Sequence, residues 1–222
     1  MSTFQRARSE DQREERREAI LQTAASMLAE MPVSAVSLNE LSRRVGLAKS
    51  NVLRYFDSRE AVLLDLLIQL ADEFFTQIGK ELPGVVEAEA SVRARAGSVA
   101  AALATEMAAR PLLCELLSVQ AGVLEHNVSA ETVAKYKRNG YESLAGFTAA
   151  LRQVLPELSE EGAAEATRTI TVFAGALWTH AHPPQAVQDA YSADPSLIFL
   201  PAGFASSLER TISVVLMGLL AD

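Results

Sequence analysis

Cysteine is almost missing from this chain. Cys114 stands alone in 222 residues, which excludes an intramolecular disulfide framework and a cysteine-based zinc site and suits a reducing compartment. Aromatic residues are scarce at 6%, while apolar residues reach 49% with alanine and leucine recurring throughout. That balance favours helices over strands, so an all-α fold is expected. Long apolar runs are absent too: the longest, near Ile212 to Ala221, falls far short of the roughly 20 residues that span a bilayer. The opening Met-Ser-Thr-Phe-Gln-Arg-Ala-Arg does not read as a secretory leader, and a cytoplasmic chain with no membrane partner is expected. There is no Gly-x-Ser-x-Gly elbow, no glycine-rich phosphate loop, no His-Glu-x-x-His helix and no paired cysteine motif. Neither an enzyme, nor a catalytic residue, nor a cofactor is therefore expected.

A basic excess is lacking as well, since the net charge is −8. The deficit is uneven: residues 1–60 carry ten Lys/Arg against nine Asp/Glu, whereas residues 61–222 carry ten against nineteen. A near-neutral head that could meet a polyanion precedes a body that would be repelled by one.

What is present is helical punctuation. Residues 1–9 read as a flexible arm, in which Arg6 and Arg8 fit a disordered tail better than a minor-groove contact. From about Glu10 dense Glu/Arg pairs at i,i+3 and i,i+4 spacing begin a helix with an inward stripe of Ile20, Ala24, Met27 and Leu28, ending before Pro32. Ser37 and Glu40 fit a capping box, Leu38, Leu41 and Val45 face inward, and Gly46 ends this two-turn helix. A second short helix over about Lys49 to Phe56, with Val52, Leu53 and Phe56 inward, completes a helix-turn-helix. Asp57 and Ser58 cap a long helix with stripe Leu63, Leu66, Leu67, Leu70, Phe74 and Ile78, stopping near Pro83-Gly84. Later helices are expected over about 91–109, 111–125, 130–155, 159–181 and 202–220.

On the 49–56 helix the outward residues are Lys49, Ser50, Asn51, Arg54 and Tyr55. Arg and Lys donate to guanine O6 and N7, and Asn pairs with adenine N6 and N7, while Ser and Tyr meet phosphates or bases. The amides of the helix opened by Ser37 offer a phosphate clamp, with Arg43, Arg44 and Arg59 adding charge beside the backbone.

The run SLNELSRRVGLAKSNVLRYFDSREAVLL, from Ser37 to Leu64, resembles the DNA-binding signature of TetR-family transcriptional regulators. The resemblance covers about residues 14–80. It implies that Lys49, Ser50, Asn51, Arg54 and Tyr55 lie at the operator and that Ser37 contacts phosphate. Ala48, Ser50 and Leu53 depart from residues common in the family, and Leu53 replaces a phosphate-contacting tyrosine whose place Tyr55 is free to take. The expected organisation is a helix-turn-helix domain over 10–57, a connecting helix over 58–82, and an effector-binding and dimerisation domain over 83–222.

In that last domain Leu208, Ile212, Val215, Leu216 and Leu219 form a helical stripe, and Ala163 and Ala174 lie among small residues on the preceding long helix. By resemblance the pair makes a homodimer interface; the stripe would equally pack within one subunit. Met107, Cys114, Leu117, Tyr141, Phe147, Phe173 and Trp178 are candidate cavity residues, each also at home in a plain core, with Arg110, His126 and Arg152 as polar handles or surface residues. His180 and His182 have poor metal spacing and suit a helix C-terminus, so no metal is expected. The reading as a whole is a homodimeric repressor of a palindromic operator in double-stranded DNA, released by a small apolar or amphipathic effector. A regulator without a small-molecule ligand, partner-controlled or constitutive, is the alternative.

Overall fold

Five serines mark where helices begin. Ser37, Ser58, Ser91, Ser129 and Ser159 each accept a hydrogen bond from the backbone N–H three residues on, at 3.0–3.2 Å. This satisfies donors that a helix start leaves without a partner. The computed structural model describes residues 3–221, with side chains from residue 11 onward. Among these residues there is no strand. The helices are α1 (Thr3–Glu30), α2 (Leu38–Val45), α3 (Lys49–Val52), α4 (Arg59–Val85), α5 (Val92–Ala108), α6 (Pro111–Val119), α7 (Ala130–Val154), α8 (Glu160–Ala181), α9 (Gln185–Ala193) and α10 (Gly203–Leu219). Short 3-10 turns cover Val33–Ala35 and Pro195–Leu197, and a π-helical turn, Gln120–Leu124, follows α6 directly.

Several boundaries differ from expectation for local reasons. Helix α1 starts at Thr3 rather than near Glu10, because no glycine or proline interrupts a run of good helix formers; the first two residues of the expected arm lie outside the described residues. Helix α3 ends at Val52, since the N–H groups of Arg54 and Tyr55 turn to the carbonyls three residues back, Asn51 and Val52. That tighter turn swings Leu53 outward, to 42% exposure, instead of into the core. Helix α4 continues through Pro83 to Val85. The stretch between Pro183 and Pro201 holds α9, whose start Pro184 favours with its fixed φ of −65°.

The chain divides into two compact units, one of residues up to 69 with 120–136, the other of 70–119 with 137–222. Helices α4 and α7 each contribute to both. In the first unit Ile20, Ala24 and Met27 of α1, Val33 and Val36, Leu41 of α2, Val52, Phe56 and the start of α4 are buried. Gly46 ends α2 in the left-handed conformation (φ 72°), and Leu47 N–H returns to Ser42 O at 3.0 Å. Helix α7 begins in this unit, where the Ser129 and Thr132 hydroxyls donate to the Asp57 carboxylate at 3.0 and 2.9 Å.

The second unit buries one stripe from each of α5 (Val99, Leu103, Met107), α8 (Ala163, Ala166, Ile170, Ala174) and α10 (Phe204, Leu208, Ile212, Leu216). Helix α6 reaches α8 at Gly175, where a Cβ would stand 2.9 Å from the Leu117 carbonyl carbon and oxygen. Arg95 is buried: it donates to Val154 O at 2.8 Å and Ala90 O at 3.3 Å, and it pairs with Glu157.

Candidate nucleic-acid interface

The helix-turn-helix core leaves only certain side chains free to meet a partner. Val52 and Phe56 are inward, so Lys49, Ser50 and Asn51 stand exposed on the first turn of α3, followed by exposed Arg54 and half-buried Tyr55. Of the five residues expected to face outward, Lys49, Ser50, Asn51 and Arg54 are exposed together and Tyr55 is half-buried. Ser37, also exposed, has its hydroxyl oxygen occupied by the Glu40 N–H.

The other three arginines of the expected set differ. Glu40 does not turn back to cap its own helix: its carboxylate takes Arg43 at 2.6 and 2.8 Å and Arg44 at 2.9 Å. Those hydrogen bonds, first from Arg43 and then Arg44, hold the Glu40 carboxyl down to about 2. Arg44 also reaches Glu30 at 2.7 Å. Arg43 keeps 72% of its side chain exposed and Arg44 only 25%. Arg59 corrects the expectation of a free backbone contact: its guanidinium donates to Val36 O at 3.0 Å and pairs with Glu60 at 3.2 Å, bracing the 3-10 turn.

Sequence reasoning missed the contribution of α1. Gln12, Arg13 and Arg16 join Arg54 and Tyr55 in lining a groove of about 410 Å³ in the first unit. Among the described residues the lining includes three guanidiniums and no carboxylate. Arg17 locks its walls together: it donates to Tyr55 O at 3.4 Å, lies 4.5 Å from the Phe56 ring centroid and pairs with Asp65. The signal was legible as periodicity, because Arg13 and Arg16 stand seven and four residues before Ile20 and so share its face.

In the second unit the candidate ligand and dimer residues do not assemble as expected. Ala163, Ala174, Leu208, Ile212 and Leu216 are fully buried in the chain's own core, and Val215 and Leu219 are half-buried; the stripe packs within the subunit. Met107, Cys114 and Phe147 are core residues. The Cys114 thiol donates to Met107 O at 3.3 Å, and Phe147 stands 5.2 Å from the Phe75 ring. The Leu117 backbone supports Gly175. Trp178 stacks on His182 at 3.8 Å and meets Phe204 edge-on, whereas Tyr141 and Phe173 are 62% and 42% exposed. Tyr141 lines an open groove of about 370 Å³ on α7 and α8 with Thr148, Arg152, Glu160 and Arg168. Arg110 is clamped by Glu106 at 2.6 Å and Gln77 at 2.7 Å, over the Phe74 ring. His126 is exposed in the first unit. His180 lies beside Phe199, and among the described residues no group of three or more His, Cys, Asp or Glu is placed to hold a metal. Nor is any single helix among them long and apolar enough to cross a membrane.

Residues 20–66 match the family described as bacterial regulatory proteins, tetR family, and residues 69–222 match the tetracyclin repressor-like C-terminal domain. Over 60 residues the chain is 35% identical to the HTH-type transcriptional regulator EthR of Mycobacterium tuberculosis, covering 27% of this chain and 28% of that protein. Over 111 residues it is 26% identical to the nucleoid occlusion factor SlmA of Marinomonas sp., covering 50% and 54%. The chain thus spans about half, or less, of the length of these curated relatives. The crystal structure of a possible TetR family transcriptional regulator from Streptomyces coelicolor A3(2), 18% identical, aligns with a TM-score of 0.58 over 92% of this chain and 98% of that one, a likeness of fold.

Proposed function

From the premise that this chain belongs to the tetR family of bacterial transcriptional regulators, we propose that it is a non-enzymatic homodimeric repressor of a near-palindromic operator, released by a small effector. The observation that carries the DNA reading is the adjacent exposure of Lys49, Ser50 and Asn51 on one turn, with Arg54 beside them. Together they supply the donors and the bidentate amide that read base edges in a major groove. Selection from a random pool of duplexes with the purified chain tests it. A two-fold-symmetric site is expected, and enrichment of nothing would sink the reading.

Dimerisation is proposed through the faces of α8 and α10 opposite their buried stripes. Val172 at 70% exposure and Val214 at 64% are large apolar residues left there, and such residues favour a partner surface. A symmetric pair would set two α3 helices on successive major grooves. Sedimentation of Val172→Glu/Val214→Glu is expected to show a monomer; an unchanged dimer would remove this face from the account.

The effector part is supported by the amphipathic α7–α8 groove, whose volume falls in the range of small-molecule sites. An apolar or amphipathic compound bound there would weaken operator binding, and the operator would weaken its binding by the same factor. A compound that binds the chain yet leaves operator affinity unchanged would contradict this, and would favour control by a protein partner or none.

A further inference from the structure

Over residues 11–18 of α1 the acidic and basic residues are not mixed around the helix. At about 100° per residue, Gln12, Arg13 and Arg16 fall within about 100° of arc, and Asp11, Glu14, Glu15 and Glu18 fall on the other side. The arc holding Arg13 and Arg16 is the one that from Ile20 onward becomes apolar and buried, through Ala24 and Met27. The core-facing stripe therefore runs out at Ile20, and the same face continues toward the N-terminus as guanidiniums directed at the turn after α3. There it meets Arg54 and Tyr55, and the five side chains line the groove. Gln12, Arg13, Arg16 and Arg54 are exposed, so their conformations are open to a ligand. The walls that carry them are fixed by the Arg17 clamp on Tyr55, Phe56 and Asp65.

Three guanidiniums lining one groove, with no carboxylate among the described lining residues, repel one another until an anion with several charges enters. Arg54 and Tyr55 belong both to this groove and to the exposed set beginning at Lys49, so the two surfaces are continuous. We infer that the groove seats the sugar-phosphate backbone of the duplex beside the base pairs met by α3, making Arg13 and Arg16 of α1 phosphate-binding residues. The inference rests on the DNA reading above and extends the interface to a helix outside the helix-turn-helix itself. Such contacts fix register and orientation and carry no base preference.

The test measures binding of the full chain to a labelled duplex carrying the selected site, from about 50 to 200 mM salt, beside Arg13→Gln/Arg16→Gln. Each phosphate left without its cation removes about 0.9 from the slope of log affinity against log salt. The double variant is expected to bind about tenfold or more weakly at the lowest salt, with a slope shallower by about 1.8 and the same ranking of substituted sites. Matched thermal midpoints show that folding is intact. An unchanged slope in a variant whose parent binds the duplex overturns this inference alone; failure of the parent to bind any duplex overturns the DNA reading with it. Sodium triphosphate, added at constant ionic strength, is the second probe. It is expected not to displace the duplex, and displacement that the double variant abolishes would assign the groove to a free polyphosphate instead.

Discussion

The two units use their arginines and their small residues differently. In the first, guanidiniums are the braces: Arg17 ties α1 to the turn after α3, Arg44 links Glu40 to Glu30, and Arg59 holds the carbonyl of Val36. The second unit has guanidinium braces of its own in Arg95 and Arg110 and adds close approach, with Gly175 against the Leu117 backbone and Ala163, Ala166 and Ala174 buried along α8. In the unit that carries the proposed DNA surface, charged braces also orient the free charges beside them. A larger helical body has the volume to rely on packing. Salt and pH should consequently act on both units, through Arg17, Arg44 and Arg59 in the first and Arg95 in the second, while shape matters most in the second.

The largest effect is expected from shape. Gly175→Ala puts a Cβ 2.9 Å from backbone atoms that cannot swing aside and should cost about 3 kcal/mol, equally at low and high salt, in urea unfolding. A cost that salt changes would blur the distinction. Next comes Arg17→Met, which leaves Asp65 with Lys135 at 3.8 Å as its one cation among the described residues and should cost about 2 kcal/mol, less in high salt. A salt-independent loss would show that Arg17 acts by packing on Phe56 alone.

A smaller effect is expected from pH in the first unit. The Glu40 carboxyl is depressed in the fold, so its network adds stability that is fully present above the ordinary carboxylate range and is lost as pH falls toward about 2. The gap in unfolding midpoint between the parent chain and Glu40→Gln should be constant above about pH 5 and close as pH falls toward 2. An equal gap at both ends would refute the assignment. A kinetic probe of the second unit is Cys114, whose thiol burial pushes up to about 12. At pH 8 iodoacetamide should label it slower than a free thiol by on the order of a thousandfold, and rapid labelling would mean that the α5–α6 core opens readily.

What could be read before folding follows the same division. The helix-turn-helix was legible because Ser37, Gly46, Val52 and Phe56 each obey a local rule of capping, turning or periodicity. The outward set of α3 followed from those rules by exclusion. Arg59 was misplaced because its partners, the carbonyl of Val36 and Glu60, depend on how the chain folds back rather than on its own helix. In the body, the stripe Leu208, Ile212 and Leu216 was visible as a stripe, but periodicity gives a buried face without saying what buries it. Arg95, with carbonyl partners as far along the chain as Val154, left no local trace. Helix α9 was hidden by the prolines around it, although Pro184 stands where a helix tolerates one.

The most direct test of the central claim, that the exposed turn of α3 reads bases, pairs Asn51→Ala with single base-pair changes in the selected site. Affinities of the parent chain and the variant would be compared on each duplex. The account predicts one A·T position per half-site at which the parent loses about 1–3 kcal/mol on substitution and the variant loses almost nothing. Equal losses by both proteins at every position would contradict it.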